Sequence, residues 1–387
     1  MANTLLGAHR PHLLKRVASS EAANAASRRQ HFQKTPSYRG RHVSHRRLLC
    51  RAGDAGGDAE ELIRRVLKDD ADDKNQLAFS ELSFGYCNSV YLVHRSSLEP
   101  VVVKLYSDLS VLRTEPEQRG SIDKLAENAG LGPRVLSNSD VGIAHAYLKG
   151  RVLQEVDMHT RADVGVAAAN LVSSFHSLPV PSSFDVDTPL LWKWLERMLD
   201  EIGASGHVDT LPDSVNFQIL RKEVDRMATA VKGGHTAGGG IVELGVVLAH
   251  GDLKPTNIML VNENPVEVLL IDLELSGPNY RGFDLMKLFR TNPETYSDYC
   301  FVAFLKEYCR AACLPDTTVR GLEAETKLFE PLTWLEAAIF FALLIVKGND
   351  TPENVKLLTN RWERYQATKW MVDHYLIELR YLRETSS

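Results

Sequence analysis

Eight residues constrain this chain more than any other part of it: His250-Gly251-Asp252-Leu253-Lys254-Pro255-Thr256-Asn257. Two short apolar runs, 245–249 and 266–271, frame them and read as strands. Asp272 closes the second run, twenty positions after Asp252. A polar loop held between two strands delivers its side chains to one end of a sheet. An acid, an amide five residues on and a second acid at a strand end can therefore converge. The bland alternative is a chance His-x-Asp followed by an unrelated strand acid, and the frame of two strands argues against it.

The pattern HxDxxxxN followed by hydrophobic-Asp is the catalytic arrangement of kinase-like phosphotransferases. In that chemistry Asp252 accepts the proton of an attacking hydroxyl. Asn257 returns across the loop to offer an amide oxygen to Mg²⁺, and Asp272 brings a carboxylate to the same metal. Mg²⁺ favours oxygen ligands, usually one or two carboxylates plus phosphate oxygens of ATP. Two upstream features are then expected. One is a strand lysine, and Lys104 in VVVKLY fits, because a lysine in an apolar strand needs a partner. The other is a hairpin over the phosphates. Residues 83–89 (SFGYCNS) sit between two predicted strands ahead of Lys104, with Gly85, Asn88 and Ser89 as the phosphate contacts. Lys254 has two readings, a γ-phosphate contact or a solvent-facing lysine.

The rest of the chain fits around that centre. Residues 60–68 read as an amphipathic helix; 77–82, 89–94, 101–106 and 144–148 read as strands, with a helix at 117–128. From Arg161 the pattern turns helical, with 162–178, 190–202, 216–231 and most of 296–383. The expected fold class is α+β, with a small β-rich N-lobe (58–147) and a larger, mainly helical C-lobe (148–387). The segment KGGHTAGGG (232–240) lacks the GK[ST] ending of a P-loop and reads as linker.

The run from Ile271 to Leu285, IDLELSGPNYRGFDL, resembles the signature of choline/ethanolamine kinases, in which an IDFE-type motif precedes NYRGFD. Residues 82–89 are similar to the family's phosphate hairpin. Leu131-Gly132-Pro133, Lys149-Gly150-Arg151, LVSSFHSLP (171–179) and RWERYQATK (361–369) resemble further family segments. The resemblance runs from about residue 60 to 380. It implies a bilobal protein-kinase-like fold and ATP- and Mg²⁺-dependent phosphorylation of a small amino alcohol, the first step of phospholipid head-group synthesis. It implies Asp252 as base, Asn257 and Asp272 as metal ligands with Glu274 assisting, and Lys104 on phosphate. The backbone of Ala146 and Leu148 would meet adenine, and Asp284, Phe341 and Tyr365 the acceptor.

This chain also departs from the family's pattern. The helix acid expected to pair with Lys104 is not evident, Glu117 and Gln118 being the candidates. Met286-Lys287 stands where a Gly-Asn pair is usual, and Thr291 where an acid is common. Two tryptophan positions of the acceptor box are Ala338 and Phe341, with Phe340 or Trp334 as substitutes; the other reading of Phe341 and its neighbours is ordinary helix core, because 337–346 is apolar all round. The phosphotransfer set is nearly complete, so the departures point to a working enzyme with an altered acceptor pocket. The competing readings are a kinase acting on another small hydroxyl acceptor, a protein kinase and a nucleotide-binding pseudokinase. A protein kinase is disfavoured because Leu-Glu follows Asp272 and no APE motif follows.

Charge separates the N-terminus from the rest. Residues 1–51 hold eleven Lys/Arg and one acid, Glu21, while the remainder holds 34 basic and 49 acidic side chains. The acidic body argues against a nucleic-acid surface. Residues 1–52 read as an organelle transit peptide, plastid before mitochondrion, against a basic arm retained in the cytoplasm. The longest apolar run, 337–346, has ten residues where a bilayer needs roughly 20, so no membrane span is expected. Five dispersed cysteines suggest free thiols, those near 309–313 being buried in a helix. A homodimer is left open.

Overall fold

A computed structural model of the chain describes residues 57–68, 77–82, 87–94, 99–233, 242–291, 299–315 and 318–386. The predicted transit segment, Gly85 and most of the 232–240 linker lie outside them. The N-lobe begins with α1 (Gly57–Leu67) and holds five strands: β1 (Ala78–Glu81), β2 (Ser89–His94), β3 (Val101–Leu105), β4 (Val135–Asn138) and β5 (Gly142–Ala146). They form one antiparallel sheet in the order β1-β2-β3-β5-β4. The sequence VVVKL explains the sheet's two faces. Side chains alternate along a strand, so Val101, Val103 and Leu105 point one way, into a core with Ile63 and Val66 of α1. Lys104 points the other way, into the cleft.

The single helix expected over 117–128 is instead broken. Its start is a short 3₁₀ turn (Pro116–Gln118) and only α3 (Ser121–Asn128) is α-helical, while a separate and unexpected helix, α2 (Asp108–Arg113), precedes them. Pro116 cannot continue a helix, and Gly120 takes a left-handed φ of 71° at the start of α3.

After β5 the chain crosses through 147–149 into the C-lobe. There β6 (Arg151–Val152), α4 (Glu155–Thr160), α5 (Ala162–His176), α6 (Leu190–Ala204) and α7 (Phe217–Gly233) lead to β7 (Val246–Ala249). The hairpin β8 (Ile258–Glu263) and β9 (Val266–Leu270) follows, then β10 (Gly277–Tyr280), which pairs with β7. The remaining elements are α8 (Arg281–Phe289), α9 (Tyr299–Ala311), α10 (Thr318–Leu328), α11 (Glu330–Val346), α12 (Pro352–Thr368) and α13 (Met371–Ser386).

Helix α11 is the axis of the large lobe. Every residue from Pro331 to Val346 except Phe340 is buried, as a helix apolar on all sides must be. By length and composition alone the stretch Thr318–Val346, which holds an 18-residue apolar window, passes for a membrane span. However, 89% of that apolar window is buried inside the fold, so it is core and not a span. Cys87 and Cys313 are free thiols. Only one of the helix pair is buried: Cys309 lies inside and Cys313 is exposed.

Candidate active site

The loop from His250 to Asn257 joins β7 to β8, and Asp272 follows β9. Backbone bonds lock these segments together: the Ile271 N–H donates to the Asn257 carbonyl at 3.0 Å. The His250 ring donates from Nε2 to the Ile271 carbonyl at 2.9 Å and accepts at Nδ1 from the Asp252 N–H at 3.3 Å. These two bonds require the ring proton on Nε2. Gly251 turns the loop with φ 84°, and a Cβ there would stand 2.3 Å from the Leu275 carbonyl oxygen. No other residue type fits without moving backbone.

Asp252 lies at the centre. Its Oδ2 accepts from Lys254 Nζ at 3.0 Å and its Oδ1 from Lys287 Nζ at 2.9 Å. Burial pushes this carboxyl up, but Lys287 and Lys254 outweigh it and hold it well below the usual range. Lys254 is raised in turn, chiefly by Asp252. The Asn257 amide donates from Nδ2 to the Asp252 carbonyl at 2.8 Å, which leaves Oδ1 as its outward oxygen. Asp272 occupies the left-handed region at φ 66°, ψ 48°. A non-glycine residue there costs about 1–3 kcal/mol and marks a position fixed by its surroundings.

Lys104 reaches across the cleft to Asp272 and to Glu274 Oε2, the latter at 3.3 Å. Burial lowers its pKa, but the two carboxylates more than reverse this. The same bridge holds Asp272 below its ordinary value against burial. The expected acid from the small-lobe helix is not the partner. Gln118 donates to the Ser183 carbonyl and Glu117 is exposed. Glu274 also accepts from Asn88 Nδ2 and from Ser110 Oγ, so the hairpin and the second acid are tied directly. Ser89 opens β2 opposite Leu105, and Ala146 closes β5 opposite Val101, with Leu148 in the crossing that follows. Gly85 lies outside the described residues.

The donor set fits Mg²⁺. Asn257 Oδ1 and the Asp272 carboxylate are hard oxygens on adjoining segments, with Glu274 beyond them. Among the described residues no cluster of three or more His, Cys, Asp or Glu could hold a metal on protein ligands alone. That is the situation of Mg²⁺, which takes its remaining ligands from nucleotide phosphates and water.

The acceptor assignments need correction. Asp284 is fully buried. Its carboxylate accepts from the His250 N–H at 2.5 Å, the Gly251 N–H at 2.8 Å and the His176 ring at 3.2 Å. It straps the catalytic loop from beneath and has no surface to offer an acceptor. Tyr365 is also buried; its hydroxyl donates to Glu223 on α7 and accepts from Arg226 at 3.2 Å. Phe341 lies in the large-lobe core at 7% exposure. Its neighbour Phe340 is the residue on the cleft side of α11, with the Arg113 guanidinium 5.2 Å from its ring centre. A one-residue step on a helix is about 100°, enough to exchange core for cleft.

The site also holds Lys287, visible in the sequence only as a departure from the family's Gly-Asn pair, and Glu336 and Arg113, which motif and spacing pass over. Lys287 Nζ lies 3.2 Å from Glu336 Oε2, and Arg113 Nη1 lies 4.0 Å from Glu336 Oε1. A signal for Lys287 and Glu336 existed. Glu336 is the one charged residue in the apolar stretch 331–346, and Lys287 interrupts an apolar helix three residues after Asp284. Buried charges of this kind must be paired.

Comparison with known proteins agrees with this geometry. The Choline/ethanolamine kinase family model matches residues 79–332. A probable ethanolamine kinase of Arabidopsis thaliana is 24% identical over 283 residues, covering 70% of this chain and 71% of its own. Choline kinase B2 of Caenorhabditis elegans is 25% identical, covering 74% and 87%. The crystal structure of a Cryptosporidium parvum choline kinase superposes with a TM-score of 0.63 at 16% identity, covering 84% of this chain and 99% of that one. The fold is therefore kinase-like and bilobal, and the chain belongs to the choline/ethanolamine kinase family, phosphotransferases that act on an alcohol group.

Proposed function

We propose that this protein transfers the γ-phosphoryl group of ATP to the hydroxyl of a small amino alcohol, ethanolamine in preference to choline. The product would serve phospholipid head-group synthesis. The observation that carries the reading is the convergence of Asp252, Asn257 and Asp272 in one cleft, with Lys104 bridging from the opposite lobe. Asp252 accepts the hydroxyl proton, within the reach of a general base. Lys104 moves from the carboxylates to nucleotide phosphate, and Lys254, nearly half exposed, is placed to follow. Mg²⁺ held by Asn257 and Asp272 would offset the charge on the transferring group.

The preference for ethanolamine rests on the aromatic faces. A quaternary ammonium is recognised by open aromatic rings. Here Arg113 covers Phe340, and Arg290 and Arg361 stand 5.1 and 5.3 Å from the Trp334 ring centre. A primary ammonium depends on hydrogen bonds instead. ADP release should therefore be measured with ethanolamine, its methylated forms and choline. The expected kcat/KM falls with each added methyl. Equal or better use of choline refutes the preference, and ADP release independent of any alcohol favours a nucleotide-binding scaffold.

We further propose that residues 1–52 direct the protein to plastids. Their basic, nearly acid-free composition supports this. A fluorescent protein carrying them should enter plastids. Entry into mitochondria, or retention in the cytoplasm, contradicts it.

A further inference from the structure

Lys287 stands out among the buried charges because the reaction above gives it no task. It lies on α8, three residues after Asp284, so both project from the same face of that helix. Asp284 holds the backbone of the catalytic loop. Lys287 meets the same loop one residue further on. An ammonium has three protons, and three acceptors surround this one: the Gly251 carbonyl at 3.3 Å, Asp252 Oδ1 at 2.9 Å and Glu336 Oε2 at 3.2 Å. The Phe283 ring closes another side, 5.2 Å away. The Lys287 side chain is 3% exposed. A charge so buried costs several kcal/mol unless fully paired, and here the pairing is complete.

The arrangement is asymmetric about Asp252. Its Oδ1 is held by a buried lysine that cannot leave. Its Oδ2 is held by Lys254, which is 46% exposed and can swing away. Glu336 shares the Lys287 charge, and Arg113, itself 7% exposed, backs Glu336 from α2. Elements from both lobes thus converge behind one oxygen of one carboxylate.

We propose that Lys287 is a positioning residue for phosphoryl transfer: it pins Oδ1 of Asp252, so that Oδ2 alone faces the acceptor hydroxyl. The proposal rests on the reading of Asp252 as the base. Lys287 touches neither substrate; it acts through Asp252, and Glu336 acts through Lys287.

The full-length chain and its Lys287→Met, Lys287→Arg and Glu336→Gln variants should be compared with ATP and ethanolamine. Misplacement of a catalytic group by a fraction of an ångström to an ångström costs up to about 100-fold. Lys287→Met should therefore lower kcat by about 10- to 100-fold with the ATP KM within about twofold. Lys287→Arg should recover part of the loss, and Glu336→Gln should give a smaller one. In an Asp252→Asn background, Lys287→Met should slow the residual rate no further. Wild-type kcat in folded Lys287→Met overturns the proposal. So does an equal added loss in the Asp252→Asn background, because a general structural effect would persist there. If Lys287→Met does not fold, Glu336→Gln carries the same two comparisons. If the wild type phosphorylates no alcohol, the functional reading fails separately. The same variants are then compared in slow ATP hydrolysis, where water takes the acceptor's place, and unequal rates uphold Lys287 while equal rates overturn it.

Discussion

Asp252 carries the account at the residue scale. Replacing it with Asn keeps the shape and removes the proton acceptor. Turnover of Asp252→Asn should fall by about 10²- to 10⁴-fold, with ATP binding by calorimetry nearly unchanged. Normal turnover would remove the residue from its role. Gly251→Ala tests the loop beside it: a φ of 84° and a contact of 2.3 Å with the Leu275 oxygen leave no room for a methyl group. The expected loss is at least about 2 kcal/mol in denaturant unfolding; an unchanged midpoint would mean that the loop adopts another turn. The residues that converge in the cleft, Asp252, Asn257, Asp272 and Lys104, were legible in the sequence because the proposed chemistry fixes their type and the loop fixes their spacing. Lys287 and Glu336 were legible only as buried charges in need of partners, and Arg113 not at all, because which groups pair depends on how α8, α11 and α2 pack, which no local spacing encodes.

At the scale of elements, the motif NYRGFD proves to be architecture as much as chemistry. Tyr280 accepts from the Trp192 indole at 3.0 Å and stacks on Phe329. Arg281 pairs with Glu325, and Gly282 lets α8 approach the Glu325 backbone, where a Cβ would meet the carbonyl oxygen at 2.6 Å. These contacts seat α8 so that Asp284 and Lys287 reach the loop. Asp284→Asn replaces an acceptor oxygen with a donor beneath two backbone N–H groups. It should cost about 3 kcal/mol and lower kcat without altering the residues that meet substrate. Unchanged stability and rate would contradict the strap. The strands and long helices were readable from period alone. The broken small-lobe helix was readable only in part, since Pro116 and Gly120 announced a break but not the path across it. The assignments to Phe341 and Tyr365 failed because an apolar helix surrounded by core gives no sequence sign of which face meets the cleft.

Across the whole molecule, the large lobe is also tied together by groups outside the catalytic loop, where α7 meets α12. Glu223 on α7 accepts from Tyr365 and lies 3.0 Å from Arg226 and 3.7 Å from Lys369. Burial raises its pKa, but the Tyr365 and Arg226 bonds outweigh this and leave it below the ordinary 4.5. A depressed folded-state value stabilises the protein above the unfolded value, and that contribution is lost as pH falls through the folded one. Glu223→Gln should therefore cost about 1–2 kcal/mol at pH 7, and the gap to wild type should narrow below about pH 4.5. A gap that widens in acid would reverse the assignment. The central claim, that this cleft moves a phosphoryl group onto an alcohol through Asp252, is tested most directly by ³¹P NMR of the full-length protein with ATP, Mg²⁺ and ethanolamine. A new phosphomonoester resonance should grow in step with ADP, and nearly none should appear with Asp252→Asn. No phosphomonoester from any alcohol, or equal formation by the Asp252→Asn variant, would contradict it.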